Sequence, residues 1–278
     1  MTKPILIRGG GDLASGVALR LHRAGFPLVI TELPQPLSVR RAVSFSEAVY
    51  EGDWTVEDVR ARRVDSASEA LSLAGSGLVP VLVDPELAAV KLADFQALVD
   101  ARLLKTPVLY SLFSNPPFAN LLIVGLGPGF TAGENCHAAI ETMRGHTLGR
   151  VYWTGTTHPD SGQPEGDPRR VLRAPADGVF EARVEIGQHV EAGEVVAVIS
   201  NQLSVSSDQY PVISGVSGVV RGLIHSGLEV SKGLKIGDVD PRDNRDYCFL
   251  VSDKALAVGG AVLEAVLKWQ AESAQWTG

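Results

Sequence analysis

The stretch that decides the fold is residues 4–14, Pro4-Ile5-Leu6-Ile7-Arg8-Gly9-Gly10-Gly11-Asp12-Leu13-Ala14. Its apolar first half predicts a buried strand, and the residues after the glycines show the apolar spacing of a helix. Gly9, Gly11 and Ala14 occupy the three places of the dinucleotide-binding pattern G-x-G-x-x-G/A. A glycine loop between a strand and a helix presents backbone amides at the positive end of the helix dipole, so this loop is predicted to hold a pyrophosphate.

Glu32 extends this pattern because it ends a second predicted strand, about 20 residues after the glycines, where a carboxylate can accept a hydrogen bond from a ribose 2′-hydroxyl. A second glycine run, Gly125-Leu126-Gly127-Pro128-Gly129, follows another apolar run and could form a second wall of the same crevice. Short apolar runs, among them 107–112, alternate with helical patterns up to residue 154. Residues 1–154 are therefore predicted to form an α/β domain with a Rossmann-like parallel sheet.

The predicted nucleotide- or dinucleotide-binding residues are those of the two glycine runs, the acid and three nearby cations. They are Gly9, Gly10, Gly11, Asp12, Ala14, Glu32, Arg40, Arg41, Lys105, Gly125, Gly127 and Gly129. Arginine suits phosphate because its planar guanidinium donates two parallel hydrogen bonds. Two other interpretations stay open: the glycines allow tight packing of strand against helix, and each cation is a solvated surface residue.

A helix is predicted after the second glycine run, since Thr131 and Glu134 have the spacing of a capping box, and it extends to about Arg144. On such a helix Cys136 and His137 would point about 100° apart and could not share a metal ion. The histidines lack zinc spacing and no G-x-S-x-G motif is present, so no metal site and no catalytic residue are predicted. A reactive role for Cys136 stays open, with burial in the core favoured.

Residues 155–170 are rich in Gly, Pro and polar side chains and are predicted to form a linker. The pattern then changes to short strands and glycine turns, with an internal repeat. Asp177-Gly178-Val179 recurs 40 residues later as Ser217-Gly218-Val219, and the glycines at 187 and 193 recur at 227 and 233. The repeat predicts two similar β-units that bury one another's apolar faces, followed by a helix from about 254 to 270.

The first repeat, from Ala174-Pro175-Ala176-Asp177-Gly178 onward, resembles the first half of biotinyl and lipoyl carrier domains. Residues 171–278 are accordingly predicted to form an all-β barrel-sandwich domain with a C-terminal helix. The stretch 200–210, where those carriers present their lysine, contains none, so no biotin or lipoate can be attached. The domain is expected to be a scaffold, a partner surface or a lid. The charged segment Lys235–Arg242 is either a functional face or a set of turn residues.

The composition of the chain excludes several classes of function and partner. The chain has 278 residues with a net charge of −7, which argues against a nucleic-acid partner. Two cysteines are too few for a disulfide scaffold and suggest a reducing compartment. No apolar run approaches the roughly 20 residues that span a bilayer. The opening Met1-Thr2-Lys3-Pro4 has no signal-peptide character, and the predicted location is the cytoplasm.

Over essentially its whole length the chain resembles the YqeB family, on the segments 7–16, 43–49, 125–130, 221–224, 235–242, 252–254 and 259–265. Members of that family are accessory proteins of selenium-dependent molybdenum hydroxylases, distantly related to the XdhC/CoxF maturation factors. The resemblance implies an accessory role in maturing or inserting the molybdenum cofactor, or in its sulfur or selenium modification. It also implies a molybdopterin dinucleotide as ligand and an apo-hydroxylase or other maturation proteins as partners.

Two further hypotheses stay open. The first is an NAD(P)-dependent oxidoreductase, in which Glu32 would favour NAD because its carboxylate repels a 2′-phosphate. The second is a non-catalytic interaction protein with an empty Rossmann-like unit. A homo-oligomer is among the expected partners, and whether the chain catalyses a reaction is left open.

Overall fold

The computed structural model describes residues 3–106, 121–160, 162, 166–200 and 209–275. The chain forms two compact units. Unit 1 comprises Met1–Pro34, Phe45–Ser161 and Val251–Gly278, and unit 2 comprises Gln35–Ser44 and Gly162–Leu250. The predicted strand 107–112 and most of the stretch 200–210 lie outside the described residues.

The described part of unit 1 contains eleven strands and four α-helices. The strands are β1 (Ile5–Arg8), β2 (Leu28–Glu32), β3 (Asp53–Val56), β4 (Val59–Val64), β5 (Leu78–Val83), β6 (Ala97–Asp100), β7 (Leu122–Leu126), β8 (Thr131–Ala132), β9 (Ala138–Ile140), β10 (Val151–Tyr152) and β11 (Gly155–Thr156). The helices are α1 (Asp12–Arg23), α2 (Ala48–Glu51), α3 (Ala67–Leu73) and α4 (Asp253–Gln275). Among the described residues, no helix combines the length and apolarity needed to cross a membrane.

Nine of these strands form one sheet in the order β10-β9-β7-β6-β1-β2-β5-β4-β3. The neighbours from β9 to β4 are parallel, but β3 is antiparallel to β4 and β10 is antiparallel to β9. The prediction of a Rossmann-like parallel sheet is therefore wrong, because the sheet is mixed. Between β3 and β4 only Glu57 and Asp58 intervene, and a two-residue turn can join only antiparallel strands.

The strand order reverses beside β1. From β1 the chain adds β2 on one side and later returns to add β6 on the other. In parallel sheets, ligands bind beyond the carboxyl ends of the strands near such a reversal. The residues that follow β1, β6, β7 and β9 at this edge begin with Gly9, Ala101, Gly127 and Glu141, and they define the region where a site is expected.

The helix predicted over 131–144 is absent. The chain forms β8, a turn and β9 instead. The Asn135 side chain holds this turn: its Oδ1 accepts from the Thr131 amide at 2.8 Å and its Nδ2 donates to the Gly129 carbonyl at 3.1 Å. Gly133 has a φ of +90°, which is outside the helical region. The turn stabilised by the Asn135 side chain is thus more favourable than the helix that the capping-box spacing predicts.

The C-terminal helix α4 belongs to unit 1, whereas the sequence placed it with residues 171–278. It packs on α1 through two glycines. A Cβ atom on Gly16 would lie 2.4 Å from the Ala255 carbonyl oxygen, and one on Gly259 would lie 2.4 Å from the Gly16 carbonyl oxygen. The two helix backbones approach this closely only because both positions lack a side chain.

Unit 2 consists of two four-stranded antiparallel sheets, ordered β12-β19-β17-β14 and β16-β15-β13-β18. Their strands are β12 (Val171–Arg173), β13 (Gly178–Ala182), β14 (His189–Val190), β15 (Val195–Ser200), β16 (Gln209–Ile213), β17 (Gly218–Leu223), β18 (Glu229–Val230) and β19 (Lys235–Asp240). The barrel-sandwich prediction for 171–278 is corrected accordingly: the unit is two small sheets, it gains the segment Gln35–Ser44 and it lacks the helix. The backbone of Val39 lies against β17, where a Cβ on Gly222 would be 2.5 Å from its carbonyl oxygen.

The internal repeat is present in unit 2 as matched turns. The amide of Gly193 donates to Ser214 and that of Gly233 donates to Ala174, both at 2.8 Å. Each repeat also caps the turn of the other. Asp177 Oδ1 accepts from the Lys232 amide at 2.7 Å, and Ser217 Oγ, 40 residues later, accepts from the Ala192 amide at 3.0 Å.

Candidate functional site

The glycine loop after β1 is filled by the protein itself. The amide of Gly10 donates to Glu32 Oε1 at 2.5 Å, and Glu32 Oε2 accepts from the Leu33 amide at 2.8 Å. The amide of Gly9 donates to the Thr31 carbonyl oxygen at 2.8 Å. The carboxylate of Glu32 thus lies where a bound anion would accept from the loop, and it does not point outward to a ribose.

The surroundings of Glu32 are buried and acidic. Burial raises its pKa, although the amides of Leu33 and Gly10 act in the opposite direction. Tyr50 has its pKa raised to about 12, first by burial and then by the charges of Glu47 and Glu32. A pyrophosphate would add negative charge beside these carboxylates. Ligand binding by the glycine loop stays a prediction, and the filled corner argues against it.

The other predicted contact residues serve local packing or belong to unit 2. Gly125 accommodates the Phe130 ring, since a Cβ there would be 2.0 Å from a ring carbon. Arg40 and Arg41 belong to unit 2, whereas the glycine loop belongs to unit 1. The Arg40 guanidinium donates to the carbonyl oxygens of residues 247 and 250, each at 3.0 Å. Asp12 and Ala14 lie in the first turn of α1, where Asp12 Oδ1 accepts from the Leu13 amide.

A second group of polar residues lies beyond β7 and β9. Glu141 directly follows β9 and is 1% exposed. Its carboxylate accepts three hydrogen bonds: from the Met143 amide at 2.7 Å, from the His158 amide at 2.9 Å and from His158 Nδ1 at 2.6 Å. The His158 side chain is 47% exposed. Glu141 therefore fixes one edge of an imidazole that is otherwise accessible.

Glu141 is held in its ionised form. Burial opposes ionisation, but the two amide donors and the His158 ring outweigh it and lower the pKa of Glu141. A carboxylate facing Nδ1 requires the proton on that nitrogen, which leaves Nε2 of the neutral ring as the acceptor. His158 is thus oriented so that Nε2 can take a proton from a bound molecule.

The loop 101–106 forms one wall of this group. It starts beside Gly9 and crosses Gly129, where a Cβ would be 2.6 Å from the Leu104 carbonyl oxygen and 2.7 Å from that of Thr106. Lys105, between these two carbonyls, reaches Asp160 with an Nζ–Oδ2 distance of 2.6 Å. Gly127 has a φ of +86° and lies against Thr142 and Leu103 of the neighbouring segments.

Sequence reasoning missed Glu141 and His158. It placed the first in the last part of a predicted helix and the second in a predicted linker, whereas β11 (Gly155–Thr156) is paired with β8 and fixes the loop before His158. One usable signal was available: a single acid directly follows the apolar run Ala138-Ala139-Ile140, as expected at the carboxyl end of a buried strand.

Other candidates have structural roles. Cys136 is fully buried, and desolvation raises the pKa of its thiol to about 12. His137 Nδ1 accepts from the Ile123 amide, and its ring packs 4.8 Å from that of Trp269.

The charged segment Lys235–Arg242 forms buried ion pairs in unit 2. Asp238 is 1% exposed and pairs with Arg170 at 2.5 Å and with Arg221 at 2.7 Å. Asp240 pairs with Arg221 and with Arg242, whose guanidinium lowers the pKa of Asp240. Buried carboxylates need such partners, so this arrangement favours the structural interpretation of the segment.

No family model matches the chain. The chain is 43% identical over 267 residues to the uncharacterized protein YqeB of Escherichia coli (strain K12), in an alignment that covers 95% of this chain and 47% of that protein. The chain therefore spans about half the length of this curated relative. The likeness supports the YqeB part of the resemblance, while the XdhC/CoxF relationship stays a prediction.

Solved structures similar to the chain include an aspartoacylase family protein from Mesorhizobium loti, with 11% identity and a TM-score of 0.29. They also include a succinylglutamate desuccinylase/aspartoacylase from Rhodobacter sphaeroides, with 12% identity and a TM-score of 0.29, and the ectoine utilization protein EutE (DoeB) from Ruegeria pomeroyi, with 12% identity and a TM-score of 0.27. Each comparison covers 86% of this chain and 85% of the other. At these TM-scores the likeness transfers neither fold nor activity to this chain.

The function expected from the resemblance is corrected. That function, accessory work in molybdenum hydroxylase maturation, depends on a dinucleotide held by the amides of the glycine loop. The amide of Gly10, which was to hold the pyrophosphate, is engaged by Glu32.

Proposed function

We propose that unit 1 is an enzyme domain that acts on a small polar substrate by general acid–base catalysis at the carboxyl ends of β7 and β9. His158 is the acid–base group, and Glu141 is its positioning residue. The observation that carries the proposal is the 2.6 Å contact between His158 Nδ1 and a buried, ionised Glu141, on a ring that is half exposed.

The chemistry follows from this contact. Nε2 takes a proton from the substrate or from a water molecule, and the ring becomes an imidazolium with protons on both nitrogens. The carboxylate of Glu141 stabilises that positive charge and keeps the ring in the productive tautomer, as a carboxylate does for a catalytic histidine in other enzymes. A positioned acid–base group typically contributes a factor of about 10² to 10⁴ to the rate.

The location supports the same conclusion. The group lies at the edge of the sheet where the carboxyl ends of its parallel strands meet, which is the usual place for small-molecule sites in such sheets. Glu141 is held by the end of β9, and the backbone of His158 is tied to it by an amide hydrogen bond of 2.9 Å. Because Glu141 directly follows a strand, the carboxylate that orients the His158 ring is positioned more precisely than one on a long loop.

The test is a comparison of purified variants on two generic reactions that need a general base: hydrolysis of p-nitrophenyl acetate, and exchange of the protons next to the carbonyl of small keto acids. His158→Gln is expected to lower kcat/KM by about 10² or more on the reaction that the domain supports. The matched control is His146→Gln, which alters an exposed histidine of the same unit.

The Glu141→Gln variant tests whether Glu141 positions the His158 ring or only contributes to folding. The amide cannot stabilise the imidazolium, so kcat is expected to fall and the pH–rate profile to change shape, while the circular dichroism spectrum stays that of the native protein. Turnover that is equal in wild type and His158→Gln, on every substrate tried, would contradict the proposal.

A further inference from the structure

A cation of the chain, Lys105, pairs with a carboxylate just beyond the candidate acid–base group in the sequence. Lys105 Nζ is 2.6 Å from Asp160 Oδ2, and Asp160 is two residues beyond His158. The Lys105 side chain is 70% exposed and that of Asp160 is 37% exposed. Both side chains of this ion pair are therefore accessible to solvent, and the pair lies two residues along the chain from the partly exposed His158 ring.

The backbone places Lys105 there by close packing. The carbonyl oxygens of Leu104 and Thr106, on either side of Lys105, lie within 2.7 Å of the position that a Cβ would take on Gly129. Only glycine allows the loop to pass over the end of β7 at this distance. The ammonium group is thus fixed at its base, while its flexible stem leaves the charged end free to change partner.

An exposed ion pair of this kind is worth about 0–1 kcal/mol, so Asp160 is readily displaced by a better placed oxyanion. We infer that the substrate of the His158 site carries a carboxylate, that Lys105 binds this carboxylate, and that Asp160 occupies its place in the unliganded protein. This inference rests on the proposed function, since it assigns the substrate class to the same site.

The probe is succinate, with succinamide as its uncharged counterpart and inorganic phosphate as a different oxyanion. Binding is followed by the ring signals of His158 in histidine-labelled protein by NMR, which requires no turnover. Succinate is expected to shift these signals with a dissociation constant in the range of about 1–10 mM, as fits a small ligand with few contacts. Succinamide is expected to leave them unchanged.

Three variants complete the experiment. Lys105→Met is expected to weaken succinate binding by about tenfold, because a charge-assisted contact is lost. Asp160→Asn is expected to tighten it by about threefold, because the internal competitor is removed. Lys91→Met, at an exposed lysine of the same unit, is the control and should bind succinate as the wild type does.

Each outcome decides the inference. It is overturned if succinate gives no shift at about 50 mM, which is at least about five times the expected constant. It is also overturned if Lys105→Met binds as the wild type does, or if phosphate or succinamide binds as well as succinate. If succinate fails to bind and His158→Gln still abolishes turnover, the substrate class is wrong and the proposed function stands. If succinate binds through Lys105 and turnover is independent of His158, the proposed function fails instead.

Discussion

The contact between α1 and α4 allows a prediction in which two adjacent glycines are expected to behave oppositely. Gly259 and Gly260 both lie inside α4, where replacing glycine by alanine stabilises a helix by about 0.8–1.0 kcal/mol. A Cβ on Gly260 would meet no atom within 4 Å, whereas a Cβ on Gly259 would lie 2.4 Å from the Gly16 carbonyl oxygen. Ordinary contact begins at 3.4 Å, so the helices would have to separate by about 1 Å.

The expected change in stability is obtained by comparing the two substitutions with each other. Both substitutions gain the same helix propensity, so their difference isolates the cost of forcing an atom into the helix contact, about 1–3 kcal/mol. Gly260→Ala should therefore be more stable than the wild type by up to about 1 kcal/mol, and Gly259→Ala should be less stable than Gly260→Ala by about 1–3 kcal/mol. In melting temperature this difference corresponds to about 2–4 °C for each kcal/mol.

The assay is urea denaturation of the two variants and the wild type, followed by the helical circular dichroism signal. Equal stability of Gly259→Ala and Gly260→Ala would refute the argument, because it would mean that the close approach of α4 to Gly16 carries no energetic cost. A Gly259→Ala protein more stable than Gly260→Ala would refute it more strongly.

Three further outcomes can be measured. Burial raises the pKa of Glu32 in the folded protein. The protonated side chain therefore stabilises the fold fully below the unfolded pKa of about 4.3, and this stabilisation is lost as the pH rises through the higher folded pKa. In urea titrations, the stability of the wild type relative to Glu32→Gln should fall over that pH interval. Hydrogen bonds from His189 to Asp243, at 2.7 Å, and to Glu191 raise the pKa of His189. The stabilisation that the charged ring provides is therefore present below about pH 6.5 and is lost as the pH rises through the higher folded pKa. Asp243→Asn should lower the midpoint of the His189 titration followed by NMR, and an unchanged midpoint would contradict this. The thiol of Cys136 is fully buried, with its pKa raised to about 12, and should react with a chromogenic disulfide reagent only after unfolding; fast labelling of native protein would contradict its burial.

The sequence predicts features that depend on neighbouring residues. The strand β1, the glycine loop and the helix α1 occur where the spacing placed them, since apolar periodicity and glycine conformational freedom act over a few residues. The same local reasoning fails at 131–144, where the spacing of Thr131 and Glu134 fits a helix. The Asn135 side chain binds the backbone on both sides of this segment and makes a turn more favourable.

The candidate site could not be predicted because it depends on distant pairings. Glu141 and His158 are 17 residues apart, and they meet only because β11 pairs with β8 and brings the loop back to the end of β9. The filled glycine loop is a similar case. The sequence places Glu32 at the end of β2, but which way its carboxylate turns depends on the Gly10 amide, 22 residues earlier.

The exchanged turn caps of unit 2 have a consequence for how quickly this unit reaches its native state. The turn at Ala192 is completed by a side chain 25 residues later, and the turn at Lys232 by one 55 residues earlier. Loop-closure entropy must be overcome before either contact forms, so unit 2 has the high contact order of all-β proteins and should refold in milliseconds to seconds rather than microseconds. A nascent chain must extend past residue 232 before the turns at Ala192 and Lys232 are both capped.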